Sequence, residues 1–458
     1  MRTTRSTRLT LPALLAAATL AVAGATTASP AVAVPTDTVD TPTRTPGVDE
    51  IFTGYVVSTF TDGRVATPQV IIDPLRPESD PFYTEPSLTG DEAPGTLLKS
   101  EPVQVQFTGV RPGNLRAWRT MFVTEEMDGT RSISTGILMV PDDGRDDATR
   151  PVIGYQEAND SVGARCHPST QWTGSNPIDG SSWSALGPLA MMFDRGWAVM
   201  ISDVGNDAET PHGVFAGKYA ANTLLDGVRS AMRLKDAGLN SDAPVGIFGI
   251  AGGGVGAGFA AERAASYAPE LNIRGSVLEG MVVDQRNFFR GSDGSLGSGF
   301  VFATLLGLEP KYPEMDLNSH LTPLGRQIAD WYRGECQTPA YFSMPFVPLS
   351  ALFTDGIPPA DIPEFQHVYD DNLLGADGAA PDSPTLIASC VADDSPMSLV
   401  PAADARGLAD RYRAGGTPVS YQPTDCSTTQ MFTDIYGWGT DLFGMQTISW
   451  LEAQLKDS

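Results

Sequence analysis

The residues whose types and spacing most clearly suggest a chemical role are 245–257, VGIFGIAGGGVGA. In this segment a β-branched and aromatic run leads into glycines and small residues. A strand that turns sharply into a helix exposes a nucleophilic serine at its apex when the sequence is Gly-x-Ser-x-Gly, because larger neighbours would clash there. The glycines are present at Gly249 and Gly253, and Ala251 stands where the hydroxyl would be. The spacing therefore predicts the turn, but the side chain lacks the nucleophile.

The segments on either side of this turn alternate between strand-like and helix-like patterns. Residues 118–141 give two strand-like runs around an Asp-Gly turn, which predicts a hairpin. Residues 151–158 and 196–205 are apolar runs typical of buried strands, and 221–238 place apolar side chains on one helical face. Alternating strands and helices predict the α/β class, with a mostly parallel sheet covered by helices on both faces.

The regular alternation lapses after residue 284 and resumes near residue 384. The later segments are a buried strand, a helix, another strand and an amphipathic last helix, the first three at 384–394, 402–413 and 418–423. The intervening block of about 100 residues is too long for an ordinary loop, so it is interpreted as a folded, mainly helical insertion, a cap or lid. The predicted organisation is a first core part, the cap and a second core part, at 51–284, 285–383 and 384–458.

The beginning of the chain is typical of an exported protein. Three arginines precede a Leu/Ala-rich run that ends in an Ala-Val-Ala pattern, at which a signal peptide is cleaved. A membrane anchor needs about 20 uninterrupted apolar residues, and Pro12 and several threonines interrupt this run. We therefore expect a signal peptide at 1–33 cleaved near Ala33, a disordered linker at 34–50, secretion, and no stable membrane span.

Composition limits the partners and cofactors. The chain has 30 basic and 55 acidic residues, a net charge of −25, and removal of 1–33 takes three arginines and no acidic residue, giving −28. Such a charge disfavours nucleic acid, whose phosphates attract basic surfaces. Four cysteines form an even set in an oxidising compartment, which predicts two disulfides. No C-x-x-C or paired histidine spacing occurs, so no metal is expected, nor any other cofactor.

A series of motifs follows a fixed order through residues 79–455. They are SDPFYTEP, PGTLLKSE, GYQEANDSVGARCHPS, GWAVMISDVG, TLLDGVRSAMR, GIAGGGVGAGFAAERAASYAPELNIRG, DNLLG and ADDSPMSLVPAADARGLADRYRAGGTPVSY. In content and order they resemble the secretory lipase family, secreted fungal and actinobacterial α/β-hydrolases with a helical cap over the active site. The resemblance implies the α/β-hydrolase fold and action on carboxylic esters of fatty acids.

The resemblance also implies a catalytic triad in the chain order Ser, Asp, His. A serine is a poor nucleophile until an imidazole takes its proton, and a carboxylate must hold that imidazole in one tautomer. The serine position falls on Ala251, the acid position on Asp393 or Asp394, and the histidine position in a loop near Thr428 that contains no histidine. No Gly-x-Ser-x-Gly occurs elsewhere, and every histidine precedes Asp393. The histidines are His167, His212, His320 and His367.

Two oxyanion-hole donors are also implied by the resemblance. Asp160 corresponds to the family's oxyanion-hole aspartate, and the backbone N–H of Gly252 to the second donor. Each has a structural alternative, because Asp160 could cap a turn and Gly252 could permit close packing of a helix on a strand. Asp393 and Asp394 also have a structural alternative, because they could be solvated or capping residues of a loop.

The pairing of the cysteines follows from the same resemblance. It implies a Cys166–Cys336 bridge that ties the oxyanion region to the cap. The remaining pair, Cys390 and Cys426, would then join the end of a strand to the former histidine loop.

Three functions are compatible with these residues. The first is a secreted, catalytically inactive lipase-like protein that binds an apolar or lipid ligand, such as a fatty-acyl ester, or a protein partner. The alternative is an active triacylglycerol lipase or carboxylesterase of lipid catabolism that uses atypical groups, with Asp160 or Asp393 as a base toward water. The third, nucleotide binding by Gly252-x-Gly254-x-x-Ala257, is disfavoured by the position of this motif deep in an exported chain.

Overall fold

The computed structural model describes residues 80–106, 112–158, 163, 166–174, 180–206, 212–336, 343–395, 399–433 and 447–456. The described residues belong to one compact unit. The predicted signal peptide, the linker, the beginning of the first core part and Asp160 lie outside them.

Nine strands among the described residues form one sheet. Their bounds are β1 Leu97–Val103, β2 Leu115–Glu125, β3 Arg131–Pro141, β4 Val152–Gln156, β5 Ala198–Ser202, β6 Val245–Ile250, β7 Ile273–Glu279, β8 Thr385–Cys390 and β9 Val419–Thr424. The order across the sheet is β1-β2-β3-β5-β4-β6-β7-β8-β9. The strands from β1 to β3 are antiparallel, β5 pairs antiparallel with β3, and β4 to β9 run parallel.

The strand sequences account for this arrangement. Every residue of β4, β5 and β6 is buried, as expected of parallel strands that are covered on both faces. Successive residues point to opposite faces, so Ile247 joins one apolar cluster and Phe248 the other. The predicted hairpin is confirmed, because β2 and β3 pair from Leu115 with Pro141 to Glu125 with Arg131.

Helices cover both faces of the sheet. Those outside the stretch between β7 and β8 are α1 Pro168–Gln171, α2 Gly180–Asp194, α3 Gly217–Arg233, α4 Gly252–Tyr267, α10 Ala402–Ala414, α11 Thr428–Thr433 and α12 Ile448–Lys456. Apolar residues of α3, α4 and α10 pack in one cluster, and those of α2 and α12 in the other.

The bounds predicted for the helix at 221–238 are wrong. The helix α3 begins four residues earlier, at Gly217, where Asn372 Oδ1 accepts the first N–H at 2.7 Å. It ends at Arg233, because Leu234 has extended backbone, and a short 3-10 turn then leads to Gly238 with a φ of 71°. The glycine therefore ends the 3-10 turn rather than the helix, a difference that apolar periodicity does not reveal.

Residues 285–383, which we call the inserted block, lie between β7 and β8. Their helices are α5 Gln285–Ser292, α6 Ser298–Leu308, α7 Leu317–His320, α8 Pro323–Tyr332 and α9 Gln366–Asp371, joined in part by 3-10 turns. The described residues of the block contain no strand, only an isolated bridge between Leu321 and Phe353. Its apolar side chains join the cluster on the α3 and α4 side of the sheet.

Polar contacts fasten the inserted block to the core. Lys311 Nζ lies 2.8 Å from Glu126 Oε1 and 3.6 Å from the centroid of the Tyr219 ring. Asn372 caps α3 through its bond to Gly217 N, and within the block it donates from Nδ2 to Tyr312 Oη at 2.9 Å. These contacts fix the block against the first turn of α3.

We expect Glu262 of α4 to make the stability of the core depend on pH. Its Oε1 accepts from Tyr412 Oη at 2.6 Å and from Gly375 N at 2.7 Å, and burial raises its pKa from 4.5 to about 7. Because the pKa of Glu262 is higher in the folded than in the unfolded state, its contribution to stability is fully present below the unfolded pKa. That contribution is lost as the pH rises through the folded pKa. Glu262→Gln keeps the acceptor oxygen without the charge. Between about pH 5 and pH 8, the free energy of unfolding of this variant should therefore rise by about 1 to 3 kcal/mol relative to the wild type.

Urea unfolding of both proteins across this pH range measures the difference. Glu364→Gln serves as the control, because Glu364 is exposed. Parallel profiles of the wild type and Glu262→Gln would contradict the expectation.

Candidate active site

The turn between β6 and α4 has the backbone of a nucleophile elbow. Ala251 links the two elements with a φ of 50° and a ψ of −122°. A positive φ is unusual for a residue with a side chain and costs on the order of 1–3 kcal/mol, so it persists only where the surrounding structure imposes it. The strained turn that would display a serine is therefore present, and it carries a methyl group.

Hydrogen bonds hold Ala251 from both sides. Its N–H donates to the carbonyl of Glu279, the last residue of β7, at 2.8 Å. Its own carbonyl accepts from Gly254 N in the first turn of α4 at 3.0 Å. The apex is thus fixed by the neighbouring strand and by its own helix.

The glycines of the turn are required by close contacts. A Cβ on Gly253 would lie 2.1 Å from the carbonyl oxygen of Glu157, which follows β4. A Cβ on Gly249 would lie 2.3 Å from the Cβ of Ala257. Close helix–strand packing is therefore present at Gly249 and Gly253. Glycine at these two positions lets α4 approach the sheet.

Gly252 is the first residue of α4 and lies directly after the apex. The N–H groups of a helix's first turn have no acceptors inside the helix, and they attract negative charge. This location suits the second oxyanion donor that the sequence suggested. The first predicted donor, Asp160, lies outside the described residues.

Substitutions at the turn should distinguish the effect of backbone strain on stability from the effect of close packing. Gly253→Ala is expected to lower the free energy of unfolding by about 2–4 kcal/mol, because the new methyl group meets a carbonyl. Ala251→Gly should leave stability within about 1 kcal/mol of the wild type or raise it, because glycine adopts a positive φ freely. Chemical denaturation measures both.

The matched control is Gly291→Ala, because a Cβ at that helical position would meet nothing within 4 Å. Equal effects of Gly253→Ala and Gly291→Ala would show that the close approach at Gly253 is absent.

The two candidates for the acid position differ in their contacts. Asp393 and Asp394 both follow β8 and both are exposed. The Oδ1 of Asp393 accepts the N–H of Ala402, the first residue of α10, at 2.7 Å. Asp393 therefore caps a helix, one of the two alternatives that the sequence left open for it.

The capping bond predicts unequal effects of substitution at the two aspartates. Asp393→Ala should destabilise the protein by about 1 kcal/mol through loss of the cap. Asp394→Ala should change stability by less than about 0.5 kcal/mol, since substitutions of exposed side chains without such contacts have small effects. Urea unfolding provides the comparison, and Asp393→Asn, which keeps an acceptor oxygen, should resemble the wild type. A loss of the same size in all three variants would contradict the capping role.

The position expected for the histidine has become helical. Thr428 is exposed and begins α11, so the expectation of a loop at this residue is wrong. Two residues earlier, Cys426 is bridged to Cys390 at the end of β8, with the Cα atoms 5.4 Å apart. The bridge links the segment after β9 to the strand that precedes Asp393. The other bridge joins Cys166 to Cys336, with a Cα–Cα distance of 5.3 Å.

All four histidines lie within the described residues, and their contacts are elsewhere. The rings of His167 and His212 are buried and stacked on each other, with centroids 4.0 Å apart. His320 meets the Phe365 ring edge-on within the inserted block. His367 Nε2 lies 3.1 Å from the Oε1 of Glu314, and both side chains are about half exposed. None of these contacts involves Ala251 or Asp393.

Two buried glutamates lie beside the elbow, and neither was among the residues predicted for the triad or the oxyanion hole. Glu157 follows β4 and Glu279 ends β7, the strands on either side of β6. Their carboxylates are buried, and they accept hydrogen bonds from the Trp172 indole and the Thr447 hydroxyl, respectively. Burial, and then the charges of the two glutamates, raise the pKa of Tyr155 well above its ordinary value. The sequence feature that could have identified both glutamates is an acidic residue at the end of an apolar run.

The described ranges lack clustered metal ligands and long apolar helices. These ranges contain no group of three or more histidine, cysteine or acidic side chains that could hold a metal ion. They also contain no helix that combines the length and the apolar character needed to cross a membrane.

The parallel sheet with helices on both faces and the strained turn after β6 define the class of protein, an α/β-hydrolase. Solved structures agree with this class. Candida antarctica lipase A in its closed state superposes with a TM-score of 0.66 at 23% identity, covering 75% of this chain and 80% of that one. This likeness establishes the fold, and the predicted fold class is confirmed.

The sequence comparisons identify the family. The family model described as secretory lipase matches residues 186–458. The chain is 32% identical over 357 residues to a probable inactive lipase of Mycobacterium tuberculosis, covering 76% of this chain and 77% of that protein. It is 31% identical over 266 residues to a secreted triacylglycerol lipase of Malassezia furfur, covering 57% and 55%. The chain belongs to the secretory lipase family.

Proposed function

We propose that this protein is an exported member of the secretory lipase family that does not cleave esters by Ser–Asp–His chemistry and instead binds a fatty-acyl ligand. The observation that carries the proposal is the methyl group of Ala251 at the apex of an otherwise intact elbow. A methyl group has no lone pair with which to attack a carbonyl carbon. Without that attack, no acyl-enzyme forms.

The other two triad positions support the same conclusion. No histidine follows Asp393 in the sequence, Thr428 near the expected base position begins a helix, and Asp393 uses its carboxylate to cap α10. Removal of triad groups costs on the order of a millionfold in turnover, and only about a thousandfold acceleration over water then remains. The relative from Mycobacterium tuberculosis carries the name of a probable inactive lipase, which agrees with the proposal.

The proposed ligand binding uses parts of the site that do not act as nucleophiles. In this proposal, the first-turn N–H groups of α4 and Asp160 hold the polar head of an acyl ester, and the inserted block acts as a cap over its chain. The named activity of the relative from Malassezia furfur, a triacylglycerol lipase, makes fatty-acyl esters the first ligands to test.

Export belongs to the same proposal. The segment 1–33 has the pattern of a signal peptide, with cleavage near Ala33. Two disulfides suit an oxidising compartment, and the relative from Malassezia furfur is named as secreted. We propose that the mature protein acts outside the cell.

The test is to restore the missing groups. We expect hydrolysis of p-nitrophenyl esters of several chain lengths by the purified wild type to be insensitive to a phosphonate inhibitor and not to exceed the residual acceleration that remains without triad groups. The double variant Ala251→Ser/Thr428→His should show ester cleavage that a phosphonate inhibitor abolishes, exceeding either single variant by at least about tenfold, because triad groups act as a unit. Thermal denaturation shows whether each variant is folded.

Two further outcomes bear on the proposal. Inhibitor-sensitive turnover by the wild type would overturn it and support an esterase with atypical groups. Ligand binding is tested separately, by mass spectrometry of lipids that co-purify with the secreted protein and by displacement of a fluorescent fatty acid. Absence of any fatty-acyl ligand in both measurements would reject the binding role.

A further inference from the structure

The motif DNLLG occupies residues 371–375, where the inserted block returns to the core. It begins at the last residue of α9 and leads toward β8. Asn372, Leu374 and Gly375 are buried, whereas residues 377–379 are exposed. We call residues 371–375 the latch, because their contacts join the inserted block to the core.

The first half of the latch is bound to the beginning of α3. Asn372 Oδ1 accepts from Gly217 N at 2.7 Å, and Asp371 forms an ion pair with Lys218. The Oδ2 of Asp371 also accepts from Tyr312 Oη at 2.6 Å. These contacts fix the half of the latch that adjoins α9.

The second half of the latch is held by α4, by α10 and by the segment after β7. Leu374 N donates to the carbonyl of Val283 at 3.1 Å, and its own carbonyl accepts from Arg411 Nη2 at 3.0 Å. Gly375 N donates to Glu262 Oε1 at 2.7 Å. The φ of Gly375 is 71°, and a Cβ there would lie 2.8 Å from Arg411 Nε. The chain therefore turns toward β8 at a position that requires glycine.

Glu262 is the ionisable acceptor of the second half. The charged and titratable groups that face it are Arg263 on its own helix and Arg411 and Tyr412 on α10, and the latch contributes the N–H of Gly375. Burial outweighs these neighbours and raises the pKa of Glu262 from 4.5 to about 7. Near neutral pH, the closed latch therefore holds a carboxyl group that would ionise more readily in water.

We propose that ionisation of Glu262 opens the latch, so that the fastening of the inserted block to the core is regulated by pH. Loss of the proton leaves a negative charge that water stabilises better than the closed latch does. The helix α10 packs against β8 and β9, whereas residues 372–375 are turns and coil. The moving part is therefore Leu374 and Gly375, and the contacts of Asp371 and Asn372 with α3 act as the hinge.

The direction and size of the effect follow from the two protonation equilibria. Below pH 4.5 the carboxyl group is protonated in the closed and the open latch, and above about pH 7 it is ionised in both. Between these values the opening equilibrium rises with pH, on the order of fiftyfold from pH 5 to pH 8. The inserted block is thus held most firmly in acidic surroundings. This fastening does not depend on ligand binding at the elbow.

Hydrogen exchange measured by mass spectrometry tests the proposal. The wild type and Glu262→Gln are compared at each pH, so that the intrinsic pH dependence of exchange cancels. At pH 5, a peptide that covers residues 372–379 should exchange within about fivefold of the same rate in both proteins. At pH 8, it should exchange at least about tenfold faster in the wild type, while β5 stays protected in both proteins.

The matched control is Glu364→Gln, at an exposed glutamate of the inserted block, which should exchange like the wild type at both pH values. A second variant, Tyr412→Phe, removes a donor that favours the ionised form of Glu262 and should move the midpoint of the wild-type profile to higher pH. Equal exchange of the latch peptide in the wild type and Glu262→Gln at pH 8 would overturn the proposal. Exchange of that peptide only as slowly as β5 in the wild type at pH 8 would also overturn it, because Glu262 would then act through global unfolding alone.

Discussion

The close approach of the first turn of α4 to the end of β4 is the constraint on which the rest of the site depends. It leaves no room for a Cβ at Gly253, which faces the Glu157 carbonyl, and it forces the chain to reverse within one residue at Ala251. The carbonyl of Glu279 on the other flanking strand then binds the apex N–H. The elbow is therefore a property of backbone packing among β4, β6 and β7, and it forms whether or not the apex residue has a hydroxyl.

The residues near the other two expected triad positions have structural partners of their own. Asp393 caps α10, and the segment after β9 is tied to β8 by the Cys390–Cys426 bridge before α11 begins. A carboxylate that is engaged with a helix end is less free to orient an imidazole. The proposed loss of catalysis would thus involve positions beyond Ala251.

Sequence patterns were sufficient for the sheet and for the elbow, because both depend on local signals. Buried parallel strands are continuous apolar runs, as in β5, and the glycines at 249 and 253 indicate a close approach of backbones. Other features depend on contacts that are distant in the chain. The capping bond of Asp393 requires the position of Ala402, and the start of α3 at Gly217 requires Asn372, 155 residues away. The buried roles of Glu157 and Glu279 likewise depend on Trp172 and Thr447, which no local pattern connects to them.

The positive φ of Ala251 has an evolutionary consequence. The strain belongs to the main chain, so alanine and serine experience it almost equally, and exchanging one for the other hardly alters folding. Selection for a stable fold is therefore insensitive to the change. A lineage could abandon hydrolysis at this residue without any compensating substitution, and a later change at the histidine position would then meet a background already released from catalysis.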